Sequence, residues 1–425
     1  MTFFKVQKWS VAGALALLPL AMVVASPGGA STHSAKAHPA SQDESNGQMP
    51  WLHQVANVTF PSPFVATTSY DIGFADPNSQ TYYLADRTNA GVDAVNTNTD
   101  TFGGVIGAGQ FVGATPTVTA AQTKACGTSV AGPNGVLSLT VGGVNQVWAS
   151  DGVTASSPVS TVKVFTLSSG TAGTLAATIP TGVSTFGTSG TCRADEMAYD
   201  PRDRLFIVAN PADSPPYVSL ITVNANPNKD AVVAQIKFPT ATGGIEQSVF
   251  DPQTDLFYVN IPGVELAVIN PNTLALATTY AQPNCTSSGL TLDPRTQQLL
   301  VSCSINPLGS MLMDARNGNV TARFPQISGA DEIWYDPGTD AYYLGANRMT
   351  SDGNTDGYPT PAIGVISGGG RGRGNGASWL ENVPTGATTT NTHSVAVDPN
   401  NGQVLVPVAG YGITVMEWTP PLGGN

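Results

Sequence analysis

Six residues with chemically useful side chains occupy equivalent places in a repeated pattern, each five positions before a turn that begins with Asp-Pro. Carboxylate and hydroxyl oxygens bind Ca²⁺, Mg²⁺ or Mn²⁺, so the four acidic members are candidate ligands of a divalent cation, with calcium favoured. A ring of solvated negative charge without a specific ligand is the alternative. The six residues are Asp71, Asp195, Glu246, Ser288, Asp331 and His393, and a seventh, degenerate repeat places Leu137 at this position.

His393 is the only histidine within the repeats. An imidazole can act as a general base when a carboxylate orients it, which here requires that Asp71 or Asp331 lies beside it. His393 is therefore a candidate catalytic base. A hydrogen-bonded structural histidine is the other interpretation.

A second polar set ends the strand that follows each turn. These strand ends should lie at the same edge as the first set, which makes them candidate ligand-binding residues. The alternative is that Asp and Asn satisfy local backbone groups in the loops that follow. The set comprises Asp86, Asp151, Asn210, Asn260 and Asn347.

A separate calcium motif begins at Asp352, where the sequence DGNTDG places oxygen side chains at Asp352, Asn354 and Asp356. This is the start of an EF-hand-type loop, in which glycine permits the sharp turn. The bidentate acid that normally closes the loop is replaced by Ile363. The same repeat contains GGGRGRGNG, which reads as a flexible surface loop. The sequence has no GxSxG, HExxH, P-loop or Rossmann motif, so it offers no support for a serine hydrolase, kinase or dehydrogenase.

These residues are positioned by a repeated hairpin: an apolar run, Asp-Pro, a polar turn and a second apolar run. Clear copies are DIGFADPNSQTYYLAD, DEMAYDPRDRLFIVAN and DEIWYDPGTDAYYLGAN. Two further apolar runs follow each hairpin, and the turns recur every 42 to 66 residues. Four strands at this period predict an all-β, seven-bladed β-propeller, whereas tandem β-sandwiches would need about 100 residues each. The last repeat lacks a fourth strand, and VANVTFPSP near the N-terminus is predicted to supply it.

The N-terminal segment indicates an exported protein, and the composition limits its partners. The 425 residues carry a formal charge of −12, which argues against nucleic-acid binding. Residues 1–30 are typical of a signal peptide, 31–50 of a flexible leader, and 51–425 of a single propeller domain. After cleavage no transmembrane segment is expected. Exported cysteines pair, and a hairpin favours Cys285–Cys303, leaving Cys126–Cys192. We expect a secreted or periplasmic monomer.

The repeats resemble the propellers of the gluconolactonase/regucalcin and virginiamycin-lyase-like group, and surface-layer proteins with YVTN-type repeats. In the lactonases a Glu at the channel mouth, in a pattern like GEGPVWD, binds a divalent metal. ADEIWYDP and ADEMAYDP are similar, which places Asp331 and Asp195 at that position. The metal-binding Asn of the group, in a pattern like PNGLAF, falls at Ser288 of SSGLTLDP.

Two functions follow as expectations. The first is a binding or scaffold module that recognises a small molecule or protein at an acidic channel mouth, with a bound divalent cation. The second is a metal-dependent lactonase- or lyase-like enzyme with His393 as base. No nucleotide or organic cofactor is expected.

Overall fold

The structure is a computed structural model that describes residues 51–303, 309–346, 361–370, 376–385 and 393–419. The predicted signal peptide and leader therefore lie outside the described residues, as do Asn347, Asp352, Asn354 and Asp356. The described residues form seven four-stranded antiparallel sheets, each the blade of one β-propeller. This confirms the predicted fold class.

Each blade contains four consecutive strands, with the seventh as the exception. Blades 1 to 3 consist of β2 (Tyr70–Asp76), β3 (Thr81–Asp86), β4 (Gly91–Asn96), β5 (Thr101–Ile106); β6 (Val136–Val141), β7 (Val144–Asp151), β8 (Thr161–Ser169), β9 (Ala172–Pro180); and β10 (Met197–Asp200), β11 (Leu205–Asn210), β12 (Tyr217–Thr222), β13 (Val232–Lys237). Blades 4 to 6 consist of β14 (Ser248–Asp251), β15 (Leu256–Ile261), β16 (Glu265–Asn270), β17 (Ala275–Ala281); β18 (Ser287–Asp293), β19 (Gln298–Cys303), β20 (Ser310–Asp314), β21 (Val320–Phe324); and β22 (Ala330–Asp336), β23 (Ala341–Ala346), β24 (Ala362–Ser367), β25 (Ser378–Pro384).

The ring closes by pairing the two ends of the chain. Blade 7 contains β26 (Ala396–Asp398), β27 (Gln403–Val408), β28 (Gly412–Trp418) and, as its outer strand, β1 (Leu52–Val58). β1 pairs antiparallel with β28, so that Leu52 lies opposite Trp418 and Val58 opposite Ile413. The predicted closure by an N-terminal strand is confirmed. The first strands of neighbouring blades contact one another all round the ring, including β26 against β2.

The Asp-Pro turns form because the aspartate fixes the backbone that follows it. In all six, the Asp carboxylate accepts a hydrogen bond from the backbone N–H two residues later, as Asp76 does from Asn78 at 2.9 Å. This is the Asx arrangement that the sequence predicts. The fourth residue after the Asp has a positive φ, for example 61° at Asp255. That conformation lets the chain return antiparallel as the second strand.

Apolar side chains between neighbouring blades form the core. Trp148 of blade 2 stacks on Phe206 of blade 3, with ring centroids 4.5 Å apart, and both are fully buried. Burial of one such side chain stabilises the fold by about 1.5 to 3 kcal/mol. Leu52 of β1 packs among side chains of blades 6 and 7, so the closing strand contributes core as well as hydrogen bonds.

Both predicted disulfides are present: Cys285–Cys303 and Cys126–Cys192, with Cα–Cα distances of 5.0 and 5.5 Å. The residue opposite Cys303 is Ser287, with Cys285 just before the strand. The first pairing is therefore right, although the two cysteines are not directly opposed as expected. Cys126 ends α1 (Ala120–Cys126), a helix that the sequence analysis did not predict.

Two short 3-10 helices, Ser184–Phe186 and Pro227–Lys229, complete the helical content of the described residues. None of the helices in this part of the chain has the length and apolarity that a membrane crossing requires.

Candidate functional site at the channel mouth

The degenerate blade corrects one residue of the predicted mouth. Its hairpin turns at Gly142 and Gly143, two residues with positive φ, and β6 therefore extends up to that shorter turn. Counting back from this turn gave Leu137. The strand pairing instead places Asn134 level with Asp195. The Asn134 N–H donates to the Ser150 carbonyl as the Asp195 N–H does to the Ala209 carbonyl, and the Ser150 N–H donates back to the carbonyl of Gly135.

The seven positions that correspond in strand register mark one end of the inner strands, here called the mouth. It contains four acids, one amide, one hydroxyl and one imidazole: Asp71, Asn134, Asp195, Glu246, Ser288, Asp331 and His393.

Three of the predicted residues come together in the mouth. Ligand atoms of Asp71, Asp331 and His393 all lie within 4.8 Å of one another. His393 Nε2 is 3.4 Å from Asp71 Oδ1. The imidazole stacks on Tyr70 at 4.9 Å, and the Tyr70 hydroxyl donates to the carbonyl of Pro407. The imidazole thus has a fixed orientation beside two carboxylates, which is the condition that the sequence analysis set for a general base.

Two arginines that the sequence analysis missed also reach the mouth. Arg87, immediately after β3, donates to the Asp71 carboxylate and to Asn134 Oδ1. Arg193 donates from Nε to Asp195 Oδ2 at 2.7 Å. Neither arginine belongs to the repeated pattern. Their only sequence signal is their closeness to Asp86 and Asp195.

The arginines control the ionisation of the mouth. Burial raises the pKa of Asp71, but the Arg87 guanidinium, helped by His393 and Arg193, outweighs it and holds the pKa well below its usual range. Burial and the charge of Asp71 raise the pKa of Asp195 to about 6, against the opposing charge of Arg193. The pKa of Arg193 is raised because Asp195, Asp71 and Glu246 outweigh its burial. The protein therefore supplies its own neutralising cations, and Asp71 remains ionised.

Three of the residues that directly follow a mouth position are polar and buried or half-buried: Glu196, Gln247 and Glu332. They form a layer beneath the mouth, here called the floor. Gln247 Oε1 accepts hydrogen bonds from the backbone N–H groups of Leu290 and Ile333, in blades 5 and 6. Glu332 accepts from the N–H groups of Gly73 and Val395, in blades 1 and 7. These side chains reach past neighbouring blades, so they link non-adjacent parts of the ring.

The two floor glutamates carry shifted pKa values. Burial raises the pKa of Glu332 to about 8, although hydrogen bonds from Ser394, Trp334 and two backbone groups oppose the rise. The pKa of Glu196 is raised well above its usual range by burial and by Glu246, Asp195 and other mouth acids. Glu196 Oε2 is buried without a hydrogen-bond partner. The floor therefore holds carboxyl groups that keep their protons to a higher pH than a free glutamate does.

The second predicted set serves the loops between blades. Asp86, Asp151, Asn210 and Asn260 are essentially fully buried. Asp86 accepts from Thr67 and from the backbone of Thr88, whereas Asn260 donates to the carbonyls of Ser288 and Gly289. Asp151 pairs with Lys163, and Asn210 accepts from Thr181 at 2.7 Å. These contacts fit the alternative interpretation, in which the side chains satisfy local loop and backbone groups, and ligand binding at these positions stays a prediction.

Asn260 also lies out of register with the others, since its equivalent in blade 3 is Ala209 rather than Asn210. The strand ends of blades 3 and 4 have similar sequences, and this similarity concealed the one-residue offset. Asp195 and Glu246 lie in the predicted register but outside the cluster of Asp71, Asp331 and His393.

No protein-family model matches this chain, and no curated protein matches it.

Proposed function

We propose that this protein is a propeller binding module whose mouth holds a divalent cation through Asp71, Asp331 and His393. The observation that carries the proposal is the approach of these three ligand atoms to within 4.8 Å. Two carboxylates and an imidazole suit Mn²⁺ or Zn²⁺, because the nitrogen ligand disfavours calcium relative to an all-oxygen site. A bound cation with open positions would then receive oxygen ligands of a small polar molecule.

Arg87 supports this assignment by orienting one ligand. It binds Oδ2 of Asp71, while Oδ1 faces His393. Such contacts from outside the ligand set fix the direction of a carboxylate and tune its affinity. The positive charge also weakens cation binding, so we expect exchangeable rather than permanent metal. Arg193 adds a donor at the same mouth for an acidic or hydroxyl-bearing ligand.

The test uses Mn²⁺ as the probe, followed by electron paramagnetic resonance of the full-length protein. We expect a bound ion whose spectrum shows coupling to an imidazole nitrogen. His393→Ala should abolish the nitrogen coupling, and Asp331→Asn should weaken binding at least tenfold. His53→Ala, which changes the histidine in β1, is the matched control and should bind like the wild type. Unchanged nitrogen coupling in His393→Ala would disprove the site.

A second candidate function is metal-dependent lactone hydrolysis, as the resemblance to the gluconolactonase group implies. The specific support is the 3.4 Å contact between His393 Nε2 and Asp71 Oδ1, which orients a base beside the candidate cation. Ser288 in place of the family's Asn is the departure from that pattern. Hydrolysis of small lactones that requires Mn²⁺ and is lost in His393→Ala would establish the enzyme. Cation binding without turnover would leave the binding module.

We further propose that the protein is exported. The two disulfides support this, because such bonds persist in oxidising compartments. Residues 1–30 carry the signal-peptide pattern. Expression with and without this segment, with the protein measured in cells and in the medium or periplasm, tests it. Export that does not depend on residues 1–30 would contradict it.

A further inference from the structure

We infer a second cation site, for calcium, at the opposite end of the inner strands, between the Asp-Pro turns of blades 3 and 4. Asp200 and Asp203 lie in the first turn and Asp255 in the second. Carboxylate oxygens of all three approach within 4.8 Å of one another. The inference is independent of the function proposed for the mouth.

The turns of other blades show how such an aspartate is normally satisfied. Its Oδ1 accepts from the turn backbone, and its Oδ2 accepts from a hydroxyl three residues later. In blade 4, Thr254 Oγ1 donates to Asp251 Oδ2 at 2.6 Å. Blades 5 and 6 use Thr296 and Thr339 in the same way, and Ser79 does so in blade 1 at 2.8 Å.

Blade 3 departs from this pattern at a single residue. Asp203 stands where blades 1, 4, 5 and 6 have Ser or Thr, and an ionised carboxylate has no hydrogen to donate. Blade 7 has Asn401 at this place, but there Asp398 Oδ2 accepts a hydrogen bond from Thr97 Oγ1 instead. Asp200 Oδ1 still accepts from the N–H groups of Arg202 and Asp203. Asp200 Oδ2 is buried with no hydrogen-bond partner, in a residue that is 0% exposed. A buried carboxylate oxygen of this kind calls for a proton, a water molecule or a cation, and the two neighbouring carboxylates favour the cation.

Asp255 supplies the third carboxylate from the neighbouring blade. Its Oδ2 accepts from Asn272 at 2.8 Å and lies 3.3 Å from Arg202 Nη1, while its Oδ1 is buried without a partner. The Arg202 side chain is 59% exposed, so it can move away when an ion binds. Three carboxylates and no nitrogen or sulfur ligand favour calcium over transition metals. A bound ion would join the two blades.

The decisive variant is Asp203→Thr, because it restores the residue that blades 4 to 6 use and should fold normally. In calorimetric titration of the full chain with Ca²⁺, Asp203→Thr should bind one ion fewer than the wild type. At about 100 times the dissociation constant, calcium should raise the wild-type Tm by about 2 to 5 °C. That rise should be lost in Asp203→Thr.

Three controls identify the ion that is lost. Glu417→Gln removes an exposed acid in β28 and should keep both the wild-type stoichiometry and the Tm rise. His393→Ala alters the mouth, and the double variant Asp352→Ala, Asp356→Ala alters the sequence-predicted calcium motif. The Asp203→Thr substitution should remove one ion from each of these backgrounds as well. Equal calcium stoichiometry in Asp203→Thr and the wild type, or no calcium binding by the wild type, would overturn the inference.

Discussion

The two ends of the same inner strands differ in how far they repeat. At the turn end, six blades carry the same aspartate, and it makes the same bond to the backbone two residues on. At the mouth end, the corresponding positions hold acids, an amide, a hydroxyl and an imidazole. Identical residues with identical local bonds support the fold. Positions that differ from blade to blade are free to build a site.

The departure of blade 3 at the repetitive end carries the same lesson. Asp203 breaks the hydroxyl pattern of its turn and leaves a buried oxygen of Asp200 without a partner. The equivalent turns of blades 4 to 6 therefore show how the turn of blade 3 would be bonded if it had a hydroxyl residue in place of Asp203. The variants below test this contrast between the two ends.

The largest effect is expected from Arg87→Ala at the mouth. It leaves the buried, ionised Asp71 without its main cation, which typically destabilises by about 3 to 5 kcal/mol. Urea unfolding at pH 7 measures this difference. Arg202→Ala at the turn end removes an exposed ion pair and should change stability by less than about 1 kcal/mol.

The double variant Arg87→Ala, Asp71→Asn separates charge from packing. Because it removes the unpaired charge, it should recover a substantial part of the stability lost in Arg87→Ala. Equal losses in the single and double variants would mean that Arg87 acts instead through its hydrogen bonds to Asn134 and to the backbone carbonyl of Tyr70.

The floor should make stability depend on pH. The pKa of Glu332 rises from 4.5 to about 8 on folding, so its contribution to stability is complete below pH 4.5 and is lost as the pH rises towards 8. Each pKa unit corresponds to about 1.4 kcal/mol. Wild-type stability minus that of Glu332→Gln should therefore fall by about 2 to 4 kcal/mol between pH 5 and pH 8.5.

Subtracting the stability of Glu332→Gln from that of the wild type removes the contribution of Glu196, because Glu196 titrates in both proteins. In Glu332→Gln the side-chain NH₂ group must replace one of the two carboxyl oxygens. It then faces either the Trp334 Nε1–H or the donors that bind the other oxygen, and hydrogen bonds are lost in both cases. Glu332→Gln should therefore be the less stable protein at pH 5. Denaturant unfolding at the two pH values provides the measurement. A stability difference that does not change with pH would show that Glu332 does not titrate in this range.

The smallest effect is expected from Thr254→Val at the turn end. It removes the donor to Asp251 Oδ2 and reproduces in blade 4 the unpaired oxygen of blade 3. Losing that bond should cost about 1 to 2 kcal/mol in the free energy of unfolding. Thr278→Val, on the exposed outer strand β17, should stay within about 0.5 kcal/mol of the wild type. Equal stability of the two variants would mean that the hydrogen bond from Thr254 to Asp251 does not stabilise the fold.

The fold was accessible from the sequence because its information is local and repeated. The Asp-Pro turns, the apolar runs and the missing last strand predicted seven blades closed by β1, and hairpin spacing predicted Cys285–Cys303. The degenerate blade was misread because Gly142 and Gly143 make a shorter turn, so counting from the turn selected Leu137 instead of Asn134.

What the sequence determined by itself was the set of strands and turns, since hydrogen bonding within a hairpin depends on residues only a few positions apart. Tertiary structure decided which mouth side chains meet. Arg87 and Arg193 bind acids of their own blade, but the contact of Arg87 with Asn134 needs the neighbouring blade. Gln247 and Glu332 bind blades distant in sequence. Asp200 and Asp255 are 55 residues apart, and only the packing of adjacent blades makes them neighbours.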